Sequence, residues 1–96
     1  MIKLIRPMLA TLVPRPFHRP GWVYEEKYDG MRALAYRRQR RVRLYSRSLK
    51  DITGEFPEIA RAMLGLGDVD LVLDGEIVAF DRHDVSRFQL LQRRGL

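Results

Sequence analysis

The 96-residue chain contains no cysteine, which excludes disulfides and thiolate-held metals as sources of stability or chemistry. No apolar run is long enough to cross a bilayer, and no basic-then-apolar leader opens the chain, so neither a spanning helix nor a secretory signal is expected. The reading is a soluble, cytoplasmic protein. Proline is nearly absent after Gly21: four of the five, Pro7, Pro14, Pro16 and Pro20, lie in residues 1–21. They rule out a long helix or a central strand there. This stretch should be an extended lead-in that lays apolar residues over the core, and its His18 has no second ligand at metal spacing. Acid is missing between Gly30 and Lys50, where eight bases stand: Arg32, Arg37, Arg38, Arg40, Arg41, Arg43, Arg47 and Lys50. Such a run suits a polyphosphate or nucleic-acid backbone. A solvated hairpin tip is the competing account.

What is present is enough for one small domain, which at this length buries about two-thirds of the surface its unfolded chain exposes. Trp22 to Tyr28 alternates with the period of a strand and places Val23, Glu25 and Lys27 on one face. Gly30 lets the chain bend into a second strand, Met31 to about Arg38, which returns through Val42 to Tyr45. The residues between, Arg38-Gln39-Arg40-Arg41, include no glycine, asparagine or aspartate. A loose loop is therefore expected there, in place of a tight two-residue turn.

Phe56, Ile59, Ala60, Met63 and Leu64 fall at helical spacing behind Pro57, predicting an amphipathic helix that Gly65-Leu66-Gly67 stops. Leu71 to Phe80 reads as a buried strand with Val72, Asp74, Glu76 and Val78 on one face. Two neighbouring acids on such a strand need partners, and Arg32 or Arg47 would serve. Asp81 to Asp84 reads as a loop, and Ser86 to Arg94 as a short helix. The fold class is α+β, a mainly antiparallel sheet with one or two packed helices. Residues 1–21 form the lead-in, 22–81 the sheet and main helix, and 82–96 the closing loop and helix.

The stretch with the most chemistry in it is Glu25-Glu26-Lys27-Tyr28-Asp29-Gly30-Met31-Arg32. A lysine ordered ahead of a glycine bend is costly to place and desolvate, and a deprotonated lysine amine is a nucleophile. Lys27-x-Asp29-Gly30 with Arg32 resembles the nucleotidyl-transfer motif of ATP-dependent DNA ligases, a superfamily shared with RNA ligases and mRNA capping enzymes. Ser46-Arg47-Ser48-Leu49-Lys50-Asp51 and Leu73-Asp74-Gly75-Glu76-Ile77-Val78 resemble two further motifs of that family, in its order. Pro7-Met8-Leu9-Ala10 and Phe88-Gln89-Leu90-Leu91-Gln92-Arg93-Arg94 resemble segments of bacterial ligases, including those fused to end-joining modules.

The resemblance covers nearly the whole chain but only the first half of the family's adenylation domain, an ATP-grasp-like fold. It implies that Lys27 attacks the α-phosphate of ATP and keeps AMP. It further implies that Glu25 reads the adenine amino group, that Arg32 and Arg47 meet phosphates, and that Glu76 takes the ribose hydroxyl with a role near Mg²⁺. Asp29, Gly30 and Asp74 support the site. Arg37, Arg38, Arg40, Arg41, Arg43 and Lys50 are the candidates for DNA contact. The implied partners are nicked or broken duplex DNA, the remainder of the ligase domain and an OB-fold domain. The family's adenine-stacking aromatic, second glutamate and late lysine pair find no place in these residues, so weak or no ligase activity is expected of the chain by itself. Self-association through uncovered apolar surface is a further expectation. Two alternatives stay open: a nucleic-acid-binding remnant without catalysis, and a piece of an RNA ligase or capping enzyme.

Overall fold

The computed structural model describes residues 4–10, 12, 14–15, 19–23 and 27–93. Along the chain come strand β1 (Met31–Arg38), strand β2 (Arg41–Ser46), a 3-10 turn (Thr53–Glu55), helix α1 (Pro57–Leu64), strand β3 (Leu71–Ile77) and helix α2 (Phe88–Gln92). The strands form one antiparallel sheet in the order β2-β1-β3. This is the expected α+β class.

Strand β1 is central because both of its faces are covered. On the inner face Ala33 and Ala35 join Val42, Leu44, Ile52, Phe56, Met63, Ile77 and Leu91 in the buried core. The outer face carries Arg32, Leu34 and Tyr36, and the last two are buried. Lead-in residues 4–10 cross this face antiparallel to β1: the Ile5 N–H donates to the Tyr36 hydroxyl at 2.9 Å, and the Met8 carbonyl accepts from the Arg32 guanidinium. The lead-in contributes mainly backbone, since Ile5, Met8 and Leu9 are all exposed.

The predicted main helix forms. Pro57 occupies its first turn, Phe56 and Met63 are buried, Ile59 and Ala60 pack against the core, and Leu64 sits exposed at the rim. Four expectations need correction. The β1–β2 connection is tight: Arg38 pairs with Arg41, leaving Gln39 and Arg40 as a two-residue turn. Gln39 takes a φ of 56°, and its N–H donates to the Asp70 carboxylate at 2.9 Å. A carboxylate from 31 positions away thus supplies what the local sequence lacks.

Strand β3 is not buried. It lies at the sheet edge, stops at Ile77, and leaves Val72 and Leu73 exposed. Trp22, Val23, Lys27 and Tyr28 belong to no strand, and the Glu25–Lys27 face rests on residues 24–26, outside those described. Helix α2 starts two residues later than predicted, because Ser86 is in an isolated bridge with Phe80 and Arg87 is extended. The loop at 81–84 forms as read, closed by the Asp81 N–H donating to the Val85 carbonyl at 2.9 Å.

Candidate functional site

Antiparallel pairing brings the start of β1, the end of β2 and the end of β3 to one end of the sheet. The three motif stretches therefore meet there: Gly30 and Arg32 at the start of β1, Arg47 just past β2, and Glu76 near the end of β3. Lys27 is exposed four residues ahead of β1. It does not ride on the sheet as expected, but on a loop that the sheet's end holds in place.

Gly30 shows how that loop is held. Its φ is not left-handed, so the bend needs no glycine. A Cβ built at Gly30 would stand 2.3 Å from the Ile77 carbonyl oxygen, 2.7 Å from Val78 Cγ1 and 3.2 Å from Glu76 Cγ. Glycine is required there for close approach. Beside it, the Asp29 N–H donates to Ser86 Oγ at 2.8 Å, while Asp29 Oδ2 accepts from the Phe88 N–H at 3.1 Å. Asp29 thereby satisfies one of the free N–H groups at the start of α2. Tyr28 meets Phe80 edge-on, with ring centroids 6.0 Å apart. Sequence reasoning missed Ser86. A serine just ahead of a helix is a capping signal, but it pointed to α2 itself and not to Asp29.

Arg32 and Glu76 are register partners on the outer face. Arg32 binds Asp74 through both carboxylate oxygens, Nε to Oδ1 at 3.1 Å and Nη2 to Oδ2 at 2.7 Å. That fork holds the Asp74 carboxyl below its usual range, and Arg32 is raised in turn. Asp74 is therefore the structural partner of Arg32, one of the two arginines named for it. Three bonds from Arg32's five N–H groups leave two for another acceptor. Glu76, Lys27 and Arg47 make no side-chain hydrogen bond or ion pair among the described residues, and all three are exposed. Arg47 sits in a turn closed by Ser46, whose N–H donates to the Lys50 carbonyl and whose Oγ accepts from the Lys50 N–H. Asp51 stands at the end of that turn. Its carboxyl is lowered chiefly by the Thr53 hydroxyl and N–H, with a smaller contribution from Arg43.

No group of three His, Asp or Glu side chains able to hold a metal occurs among the described residues. Glu76 is left as the one carboxylate proposed near an ion.

The basic run divides. Arg37 is buried on the inner face and donates to the carbonyls of Val69 at 3.0 Å and Leu64 at 3.5 Å. It is withdrawn as a DNA-contact residue, because it ties the end of α1 to the sheet. Arg38, Arg41 and Arg43 share the outer face and, with Leu4, Tyr36, Gln39 and Tyr45, line a concavity of about 580 Å³. No carboxylate is among those lining residues. Arg40 is exposed in the turn, and Lys50 is exposed beside Asp51. The hairpin tip lies at the far end of β1 from Gly30, about 25 Å away at the rise of an extended strand. The patch and the lysine motif are adjacent in sequence and separate in space.

The family model for the ATP dependent DNA ligase domain matches residues 7–95. The chain is 39% identical over 92 residues to the multifunctional non-homologous end joining protein LigD of Mycobacterium bovis, covering 95% of this chain and 12% of that one. It is 40% identical over 92 residues to the LigD of Pseudomonas aeruginosa, covering 96% and 11%. The crystal structure of the ligase domain of M. tuberculosis LigD superposes with a TM-score of 0.66 at 41% identity, over 74% of this chain and 24% of that one. A second solved structure with the same score is a mycobacterial DNA ligase D complexed with ATP and MES. The chain thus spans about an eighth of the length of the curated relatives it matches.

Proposed function

Because the chain belongs to the family of ATP-dependent DNA ligase domains, we propose that it carries the nucleophile and part of the nucleotide pocket for covalent lysine adenylation. The observation that supports this reading is the meeting of the Lys27 loop, Arg32, Arg47 and Glu76 at one end of the sheet. The Nζ lone pair of Lys27 attacks the α-phosphorus of ATP. A phosphorus–nitrogen bond forms, the bond to the bridging oxygen breaks, pyrophosphate leaves, and the amine gives up its proton. Such transfers depend on alignment and charge neutralisation. Arg32, aimed by Asp74, and Arg47 would meet phosphate oxygens; Glu76 would take the ribose hydroxyl, and Glu25 the adenine amino group. Mg²⁺ would supply further neutralisation, held largely by phosphate and water oxygens. In a whole ligase the AMP passes to the 5′-phosphate of a nick, and the 3′-hydroxyl displaces it. That second stage needs duplex DNA, the remainder of the domain and an OB-fold module, and belongs to a complete ligase; the cytoplasm is the location this reading implies.

The test is intact mass after incubation with ATP and Mg²⁺. The expected result is a slow, substoichiometric AMP adduct, stable to base and released by acid, that Lys27→Ala abolishes; nick sealing by the chain alone is not expected. An adduct that persists in Lys27→Ala, or none in a chain shown to be folded, overturns the assignment. The basic concavity favours a second reading, nucleic-acid binding without catalysis. Salt-sensitive DNA binding with no adduct would select it. The family match over residues 7–95 favours a DNA-ligase origin over an RNA-ligase or capping-enzyme one.

A further inference from the structure

We propose that Ser86 is a positioning residue for Lys27, acting through Asp29; the inference rests on reading Lys27 as the nucleophile. The Lys27 side chain makes no hydrogen bond or ion pair of its own among the described residues. Among the described residues, the backbone that follows it is what anchors its loop. Each of the next three residues is held by the segment 77–88: Tyr28 by Phe80, Asp29 by Ser86 and Phe88, and Gly30 by Ile77 and Val78.

The holding segment is itself braced. Ser86 bridges to Phe80, and the Arg87 N–H donates to the Ala79 carbonyl at 2.9 Å. The Asp81 carboxylate accepts from the N–H groups of His83 and Val85 and from the Arg87 guanidinium, at 2.8, 3.1 and 3.0 Å. Ser86 Oγ therefore presents a fixed acceptor to the Asp29 N–H in that loop. The Asp29–Ser86 bond is exposed, so water can replace it at little cost in stability. What water cannot replace is the location, and a nucleophile displaced by about 1 Å loses orders of magnitude in rate.

The experiment is amide hydrogen exchange, read by mass spectrometry, on the chain and on Ser86→Ala and Ser86→Thr. The expected result for Ser86→Ala is exchange about fivefold faster at residues 27–30, as loss of one hydrogen bond permits. Protection in β1 and β2 should be unchanged, and Ser86→Thr, which keeps the hydroxyl, should restore the loop. Where the chain forms the AMP adduct, Ser86→Ala should slow its formation about tenfold or more with half-saturation by ATP unchanged. Faster exchange confined to 86–92, faster exchange throughout the sheet, or no rescue by threonine overturns the proposal. An absent adduct with the loop effect intact would count against Lys27 chemistry in this chain and not against the clamp.

Discussion

At Gly30 a missing side chain decides where the Lys27 loop can lie. An added methyl would collide with Val78 Cγ1 and with the Ile77 carbonyl oxygen, and the latter cannot move without shifting the end of β3. Gly30→Ala should cost about 1–3 kcal/mol, the usual penalty of overpacking. It should lower the urea midpoint with little change in slope; a wild-type midpoint would show that the end of the sheet yields freely. Arg37 makes a related point. Its place on the inner face follows from strand parity, since it alternates with Met31, Ala33 and Ala35. Grouping it with the exposed arginines followed charge and ignored the period. Once it is buried, its fork finds the Leu64 carbonyl at the end of α1 and the Val69 carbonyl beyond it.

Among the elements, the β1–β2 hairpin is the one that asks for a partner. Arg38 and Arg41 stand directly opposite each other, with Arg43 on the same face, and like charges across a ladder are unfavourable. A phosphate backbone would relieve them. Replacing Arg38 and Arg41 together with alanine should reduce the slope of log affinity for duplex DNA against log salt by about 2, near 0.9 for each lost contact. Arg61→Ala, on α1, should leave it unchanged. Equal slopes for all three proteins would remove the hairpin from the interface. Elements with a strong period of their own were legible in the sequence: β1, the body of β2, α1 and the strand character of β3. Features supplied from far along the chain were not. The tight turn depends on Asp70, and the start of α2 is satisfied by Asp29. The exposure of β3 reflects its edge position, which hydropathy does not report. In the candidate site, the motif residues were legible from the family pattern, whereas the Arg32–Asp74 fork was one of several pairings the sequence allowed.

The whole molecule is open for its size. Its radius of gyration is 15.3 Å, against about 13 Å for a compact 100-residue domain. Among the described residues β3 is an edge strand, and Val72 and Leu73, on its opposite faces, are both exposed, as is Phe80 beyond it. Part of the stability is electrostatic. The carboxyls of Asp74, Asp51 and Asp81 all sit below their ordinary value of 3.8, held by Arg32, by Thr53 and by Arg87 respectively as the largest influences. Each therefore binds a proton more readily in the unfolded chain. Their contribution is full above that value and is lost as pH falls through it toward the lower folded values. Circular dichroism melts should show a Tm that is flat near neutrality and falls below about pH 4. In Asp74→Asn the acid-dependent part of the fall should be smaller; an identical pH profile would show that the Arg32 fork adds nothing.

The two bonds at Asp29 reach 57 and 59 positions along the chain. Contacts of that separation close late, after local pairing has paid for the intervening loop. During synthesis Lys27 leaves the ribosome long before Phe88 exists. Until α2 has been made, both anchors of Asp29 are missing, and its synthesis is the event that lets the loop carrying Lys27 settle.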